Sequence, residues 1–247
     1  MTSDKDLSHV RQDLAPSGTM RVGLNLANFL LVNMNKATGE PEGIAPSLAR
    51  ELATRLGLKI EFLPYGTPGE IAEDATSDIW DLALLAVEPA RSEVIDFTAP
   101  YLEIESTYLV PEKSQLASIE DVDQDGIKIA VMNKSAYDLY LTRNIQHATL
   151  IRSSSMDESF DVFVAQQLDV LAGLKPRLLN EQQRLKGSRI LPGRFTAVQQ
   201  AIGVPKGKTN GANYIKDFVK EMLASGRVQD IIDFHGIKGV SVAQISS

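Results

Sequence analysis

Side chains able to do chemistry are sparse in this chain, and their spacing excludes most reaction classes. There is no cysteine, which removes thiolate nucleophiles, disulfides and sulfur-ligated zinc. The three histidines, His9, His147 and His235, lie far apart and argue against a multi-histidine metal site. GxSxG, HExxH, phosphate-loop and GxGxxG patterns are all missing. Acids come in pairs (Glu40/Glu42, Glu103/Glu105, Asp157/Glu158), on stretches that read as turns and exposed faces where carboxylates are solvated. The sequence therefore nominates no catalytic residue, no metal site and no cofactor. Lys plus Arg number 25 against 32 Asp plus Glu, a formal net charge of −7. Neither nucleic acid nor an anionic membrane surface is an expected partner, since both need clustered positive charge. An anionic ligand has to be held by a few local cations working against the overall field.

The framework behind these residues has an ordinary globular balance: 247 residues, 43% hydrophobic and 23% charged. No apolar run approaches the ~20 residues of a membrane span. The polar start, Met1 to Val10, has no apolar segment after a basic one and reads as a cytosolic or processed form rather than one carrying a secretory signal.

Residues 1–19 read as a loose or briefly helical lead-in. Met20 to Leu26 alternates as a strand, and an Asn-rich loop (Asn25, Asn28, Asn33, Asn35) and a turn at Gly39–Gly43 follow. Pro46 suits the first turn of a helix whose face carries Leu48, Leu52, Ala53 and Leu56 and which Gly57 ends. With a strand at Leu58–Tyr65 this is a βαβ unit. Asp81–Val87 is apolar throughout, as in a strand covered on both faces. Thr107–Pro111 is a further strand. A second series begins at Ile127–Met132, with a helix from Ala136 to Arg143 and a strand at Ala148–Ile151. Ser155 and Glu158 resemble a capping box before a helix expected to turn Phe160, Phe163 and Val164 inward. Strands at Leu168–Ala172, Arg189–Leu191 and Ala197–Val204 precede an amphipathic helix, Tyr214–Leu223, and a last helix ending near His235. Two βα series without a linker predict an α/β chain of two lobes joined by extended crossing strands, with clefts at the carboxyl ends of strands. The expected division is a lead-in at 1–19, lobe 1 at 20–108 plus 198–247, and lobe 2 at 109–197.

Four stretches carry a family likeness. They are Gly39-Glu-Pro-Glu-Gly-Ile-Ala-Pro-Ser-Leu-Ala-Arg-Glu-Leu-Ala; Trp80-Asp-Leu-Ala through Pro89-Ala-Arg91 to Ile95-Asp-Phe-Thr-Ala-Pro-Tyr101; Ile127-Lys-Ile-Ala-Val-Met-Asn-Lys-Ser-Ala-Tyr-Asp-Leu-Tyr; and Tyr214 to Gly236. Together they resemble the type 2 periplasmic solute-binding proteins, in the family 3 group known for polar amino acids. The resemblance implies the two-lobed periplasmic-binding-protein-like II fold, and a protein that binds rather than transforms its solute.

It also implies a set of ligand contacts. Arg91 matches the arginine whose guanidinium forks a ligand carboxylate. The stretch from Asp81 to Arg91 is two residues shorter than usual, however, and Ala86, Val87 and Glu88 stand where hydroxyl residues are expected. Five residues beyond Asp169, where the family has an acid for the ligand's α-amino group, this chain has Leu174, followed by Lys175. Leucine cannot neutralise an ammonium, so the expected ligand is a small anionic, carboxylate-bearing solute, with Lys175 suited to a second carboxylate. Lys134-Ser135 replaces the family's Gly-Thr at a helix start; Ser135 keeps the hydroxyl, and Lys134 adds a cation but forfeits glycine's freedom at φ > 0. Asn25 and Asn28 offer amides, Phe29 an apolar wall, and one of Gln199 and Gln200 faces the cleft if the strand alternates.

The function so implied is a monomeric solute-binding component of an ABC transporter that closes by hinge motion and docks on a membrane permease complex. Two alternatives stand beside it. One is an enzyme like the cyclohexadienyl dehydratases of the same fold, for which Glu88, Glu103 or Glu105 would have to act as a buried general acid. The other is a cytosolic ligand sensor.

Overall fold

The computed structural model describes residues 4–244. The chain divides into two compact units, Met1–Glu103 with Gln199–Ser247, and Ile104–Val198. The first unit opens with helix α1 (Asp4–Leu14). This segment is not loose. Leu14 is fully buried, Arg11 Nε donates to the Leu56 carbonyl at 2.8 Å, and Asp13 Oδ2 accepts the N–H groups of Asn210 and Gly211.

Strand β1 (Thr19–Asn25) leads through the short pair β2 (Asn33–Met34) and β3 (Pro41–Glu42) into α2 (Ile44–Leu56) and β4 (Lys59–Tyr65). Strands β1 and β4 are parallel, as the βαβ pattern predicts. Gly57, at φ 62°, supplies the left-handed residue that ends α2. Gly43, at φ 121°, packs so closely that a Cβ would overlap the Leu31 carbonyl oxygen. Helix α3 (Pro68–Glu73) lies in a stretch assigned no element from the sequence. It is built by a Thr67–Glu70 capping box with proline in its first turn.

β5 (Leu82–Ala86) pairs in parallel with β1 and is buried at every position. Its start is fixed by Asp81, 1% exposed, which accepts the Arg21 backbone N–H, Nε and Nη2 at 3.0, 2.9 and 2.8 Å. Trp80 beside it donates Nε1–H to the Ile71 carbonyl. The one-turn helix α4 (Pro89–Ser92), also unassigned from sequence, and β6 (Ile95–Phe97) lead to β7 (Leu102–Pro111), a long strand passing from the first unit into the second.

The second unit continues with β8 (Lys128–Met132), α5 (Ala136–Asn144), β9 (Thr149–Ser153), α6 (Met156–Ala165), β10 (Val170–Leu174), α7 (Lys175–Arg184) and β11 (Ser188–Ile190). Its sheet runs β7–β10–β8–β9, with β8, β9 and β10 parallel and β7 antiparallel to β10. Phe160 and Phe163 join Leu109, Leu168, Leu171 and Leu178 in the core, but Val164, expected inward, is 42% exposed. Helix α6 stops one residue later, and Gln167, at φ 51°, turns the chain so that Leu168 fills that side. The capping box at Ser155 is half formed: its Oγ accepts the Glu158 N–H, whereas the Glu158 carboxylate bonds Ser154 instead of the Ser155 N–H.

β12 (Thr196–Pro205) returns to the first unit, where it pairs antiparallel with β5 and β6. Gly203 allows this pairing, since a Cβ there would lie 2.5 Å from Ile95 Cγ2. α8 (Thr209–Ala224) packs on α1. α9 (Arg227–Phe234) and β13 (Ser241–Val242), which pairs with Leu102–Glu103, complete the unit.

Candidate functional site

In each unit the candidate residues gather where parallel strands end. β1 and β5 run side by side, so the segments after their carboxyl ends, Asn25–Phe29 and Ala86–Arg91, share one edge of the sheet. β12 meets that edge, with Gln200 opposite Ala86. In the other unit β8 and β10 are parallel neighbours, which places Lys134–Ser135 and Leu174–Lys175 at one edge as well.

Arg91 is 3% exposed, a buried guanidinium rather than a surface one. Nη1 donates to the Ala86 carbonyl at 2.8 Å, and Glu88, itself 7% exposed, faces the same charge. Burial pushes the arginine's pKa down to about 10, with the Glu88 carboxylate opposing the fall. Glu88 thus supplies a carboxylate where a hydroxyl was expected. Asn25 is occupied locally, its Oδ1 taking the Ala27 N–H. Asn28 is 3% exposed; its carbonyl accepts the N–H groups of Leu31 and Val32, and its buried Oδ1 has no hydrogen-bond donor among the described residues. Phe29 is half-buried and its carbonyl accepts from Asn33. Of the two glutamines, Gln200 is buried, and Gln199 donates Nε2–H to Glu103 at 2.6 Å.

In the second unit Ser135 is 4% exposed and caps α5, its Oγ accepting the Asp138 N–H at 3.1 Å. Lys134 sits at φ 56°, the left-handed conformation in which glycine's place in the family pattern makes sense, and its N–H donates to Asp138. Leu174, 4% exposed, lies at the N-cap of α7 and offers no side-chain acceptor. Opposite it in the β7–β10 register is Ser106, fully buried, whose Oγ has no partner among the described residues. Lys175 is not a solitary solvated lysine. Its Nζ lies 2.7 Å from Glu105 Oε2, and Arg194 Nη1 lies 3.6 Å from Glu105 Oε1.

Sequence reasoning passed over Glu105 as a solvated edge residue and did not single out Arg194. Their approach depends on strand register, and alternation alone gives no sign of it. Among the described residues no group of three or more His, Asp or Glu side chains could hold a metal ion, and no helix is long and apolar enough to cross a membrane.

The model for bacterial extracellular solute-binding proteins, family 3, matches residues 21–236. The chain belongs to that family. It is 24% identical over 216 residues to the amino-acid-binding protein AabA of Dichelobacter nodosus, covering 84% of each chain. It is 23% identical over 201 residues to the ABC transporter glutamine-binding protein GlnH of Bacillus subtilis, covering 80% of this chain and 73% of that one. Among solved structures, an ancestral amino-acid-binding protein described as a precursor of cyclohexadienyl dehydratase superposes with a TM-score of 0.74 at 22% identity, covering 90% of this chain and 97% of that one. The arginine-bound AbpA of Streptococcus pneumoniae gives 0.74 at 18%, covering 90% and 96%. The α/β fold is therefore that of the type 2 periplasmic binding proteins, and the family is one of binding proteins, not enzymes.

Proposed function

We propose that this chain is the amino-acid-binding component of an ABC transporter, delivering its ligand to a membrane permease complex. The observation that carries the reading is that two of the candidate cations have an acid beside them: Glu88 at Arg91 and Glu105 at Lys175. Such pairs offer both signs of charge, which suits a zwitterion better than a simple anion. The names of the family's relatives, amino-acid-binding and glutamine-binding, support the same class.

A second reading, an amine-free carboxylate, draws on Leu174, whose buried apolar side chain cannot neutralise an ammonium. Thermal unfolding across amino acids, mono- and dicarboxylates separates the two. A ligand at ~100 times its dissociation constant adds about 2.7 kcal/mol. Stabilisation by α-amino acids and not by their deaminated counterparts supports the first reading. The reverse pattern replaces it with the second.

A further inference from the structure

The sequence holds a single Asn-Gly dipeptide, Asn210–Gly211, and the first turn of α8 sets it against α1. Asn210 is exposed and Gly211 is buried. The packing requires glycine at 211, since a Cβ there would lie 2.7 Å from Leu14 Cδ2 and 3.1 Å from Asp13 Cβ. The same close approach lets Asp13 Oδ2 accept the N–H groups of Asn210 and Gly211, at 2.8 and 3.0 Å. An asparagine followed by glycine is open to attack on its side-chain amide by the next backbone nitrogen, because no Cβ obstructs the approach and the backbone turns freely. Three features oppose that attack here. The helical backbone at Asn210 turns the Gly211 nitrogen away from the amide carbon. The Gly211 proton, which must leave first, is held in a charge-assisted bond. The Asp13 carboxylate also disfavours a nitrogen anion forming beside it. The last two are lost when α1 leaves α8, and the first turn of the helix then frays without its cap.

We infer that Asn210 is a deamidation site guarded by Asp13, and that conversion there makes the departure of α1 from α8 irreversible. In the open state solvent base removes the Gly211 amide proton, and the nitrogen bonds to Asn210 Cγ. The Cγ–Nδ2 bond breaks, and the side-chain nitrogen takes a proton from solvent and leaves as ammonia. Water then opens the succinimide ring at either carbonyl, giving an aspartyl or isoaspartyl residue at position 210. Either product sets a new carboxylate close to Asp13, and the isoaspartyl form also lengthens the backbone by a carbon. The clasp cannot re-form in its original geometry.

Peptide mapping by mass spectrometry of the whole chain, aged in warm, mildly alkaline buffer, tests this through the mass gained when an amide becomes an acid. The parent converts slowly when folded and fast in urea, where helix and clasp are both gone. Asp13→Ala speeds conversion of the folded protein about fivefold, the factor equivalent to one lost helix-cap bond. Asp13→Asn, which keeps an acceptor of the same shape without the charge, falls between parent and Asp13→Ala. Phe163→Ala, in the core of the other unit, leaves the rate at the parent's. Circular dichroism checks that each variant is folded. Trypsin cuts after Arg11, whose side chain is tied to the Leu56 carbonyl, faster in converted than in fresh protein. The inference is overturned if the folded parent converts as fast as in urea, if neither Asp13 variant exceeds the parent rate, or if Phe163→Ala matches Asp13→Ala. An Asn210 that persists in urea overturns the site itself. Cleavage after Arg11 at the parent rate in fully converted protein overturns the irreversible release of α1.

Discussion

Replacing Arg91 and Glu88, singly and together, separates what a buried ion pair does for binding from what it costs the fold. Burial takes the arginine's pKa from its ordinary value down to about 10. At 1.36 kcal/mol per decade this corresponds to roughly 3 kcal/mol by which the interior holds the charged form less favourably than water does. The folded-state value is the lower one, so this cost is present at every pH below about 10 and is relieved only as pH rises from there toward the ordinary arginine value. Arg91→Met removes the cost but leaves the Glu88 carboxylate, 7% exposed, without its cation. Breaking one side of such a pair costs about 3–5 kcal/mol, whereas replacing both sides with neutral groups is neutral or stabilising by about 1–4 kcal/mol. The expected order of stability is Glu88→Gln/Arg91→Met at or above the parent, with each single variant below it. Urea unfolding followed through Trp80, 1% exposed and in the same unit, reads this order directly. Calorimetry against the best amino-acid ligand should show binding lost in every variant lacking Arg91. A double variant more than 1 kcal/mol less stable than the parent (roughly a fivefold shift in the unfolding equilibrium), or an Arg91→Met protein that binds normally, refutes the reasoning.

Three further outcomes follow from the packing. Leu14→Ala, at a fully buried position between α1 and α8, should lower stability by about 2–5 kcal/mol in chemical denaturation, and Asp13→Ala by about 1 kcal/mol through loss of the α8 cap. Gly203→Val should cost more than Gly57→Ala, because the first drives a side chain into Ile95 and the second meets only the strain of φ 62°; thermal melts of the two variants rank them. Asp121 accepts the N–H groups of Ala117 and Ser118, which hold its carboxyl below the usual range. Its contribution is therefore complete above the ordinary carboxylate pKa and disappears as pH falls through the lower folded value. Asp121→Asn should flatten that part of the acid-unfolding curve.

The elements with strong periodicity were legible in the sequence for physical reasons. The apolar run Leu82–Ala86 is short and apolar throughout, as a strand covered on both faces requires, and the Leu48, Leu52, Leu56 spacing with Gly57 behind it specifies one helix and its end. Short helices were not. α3 and α4 are too brief to show a period, although Thr67-Pro-Gly-Glu70 carried a capping signal that could have marked the first. In the candidate site, the backbone contexts of Arg91, Ser135 and Lys175 could be read along the chain, but their partners could not. Glu105 is 70 positions from Lys175 and reaches it through the pairing of β7 with β10, a register that only tertiary packing decides. Likewise nothing in the stretch from Ala86 to Arg91 indicates that both Glu88 and Arg91 are buried.

The way strands are shared between the units also sets an order of events during synthesis. β5 is bordered by β1, already made when it emerges, and by β12, whose last residue follows Ala86 by 119 positions. At about 5–20 residues per second, this fully apolar strand waits on the order of 6–24 s for its second neighbour. Ile104–Val198, in contrast, is one unbroken stretch and is complete before β12 has finished emerging. The middle of the chain can therefore become native while the unit made from both ends is still open along Leu82–Ala86. During that interval the nascent protein presents an unpaired hydrophobic edge, the kind of surface that makes partly folded chains prone to associate.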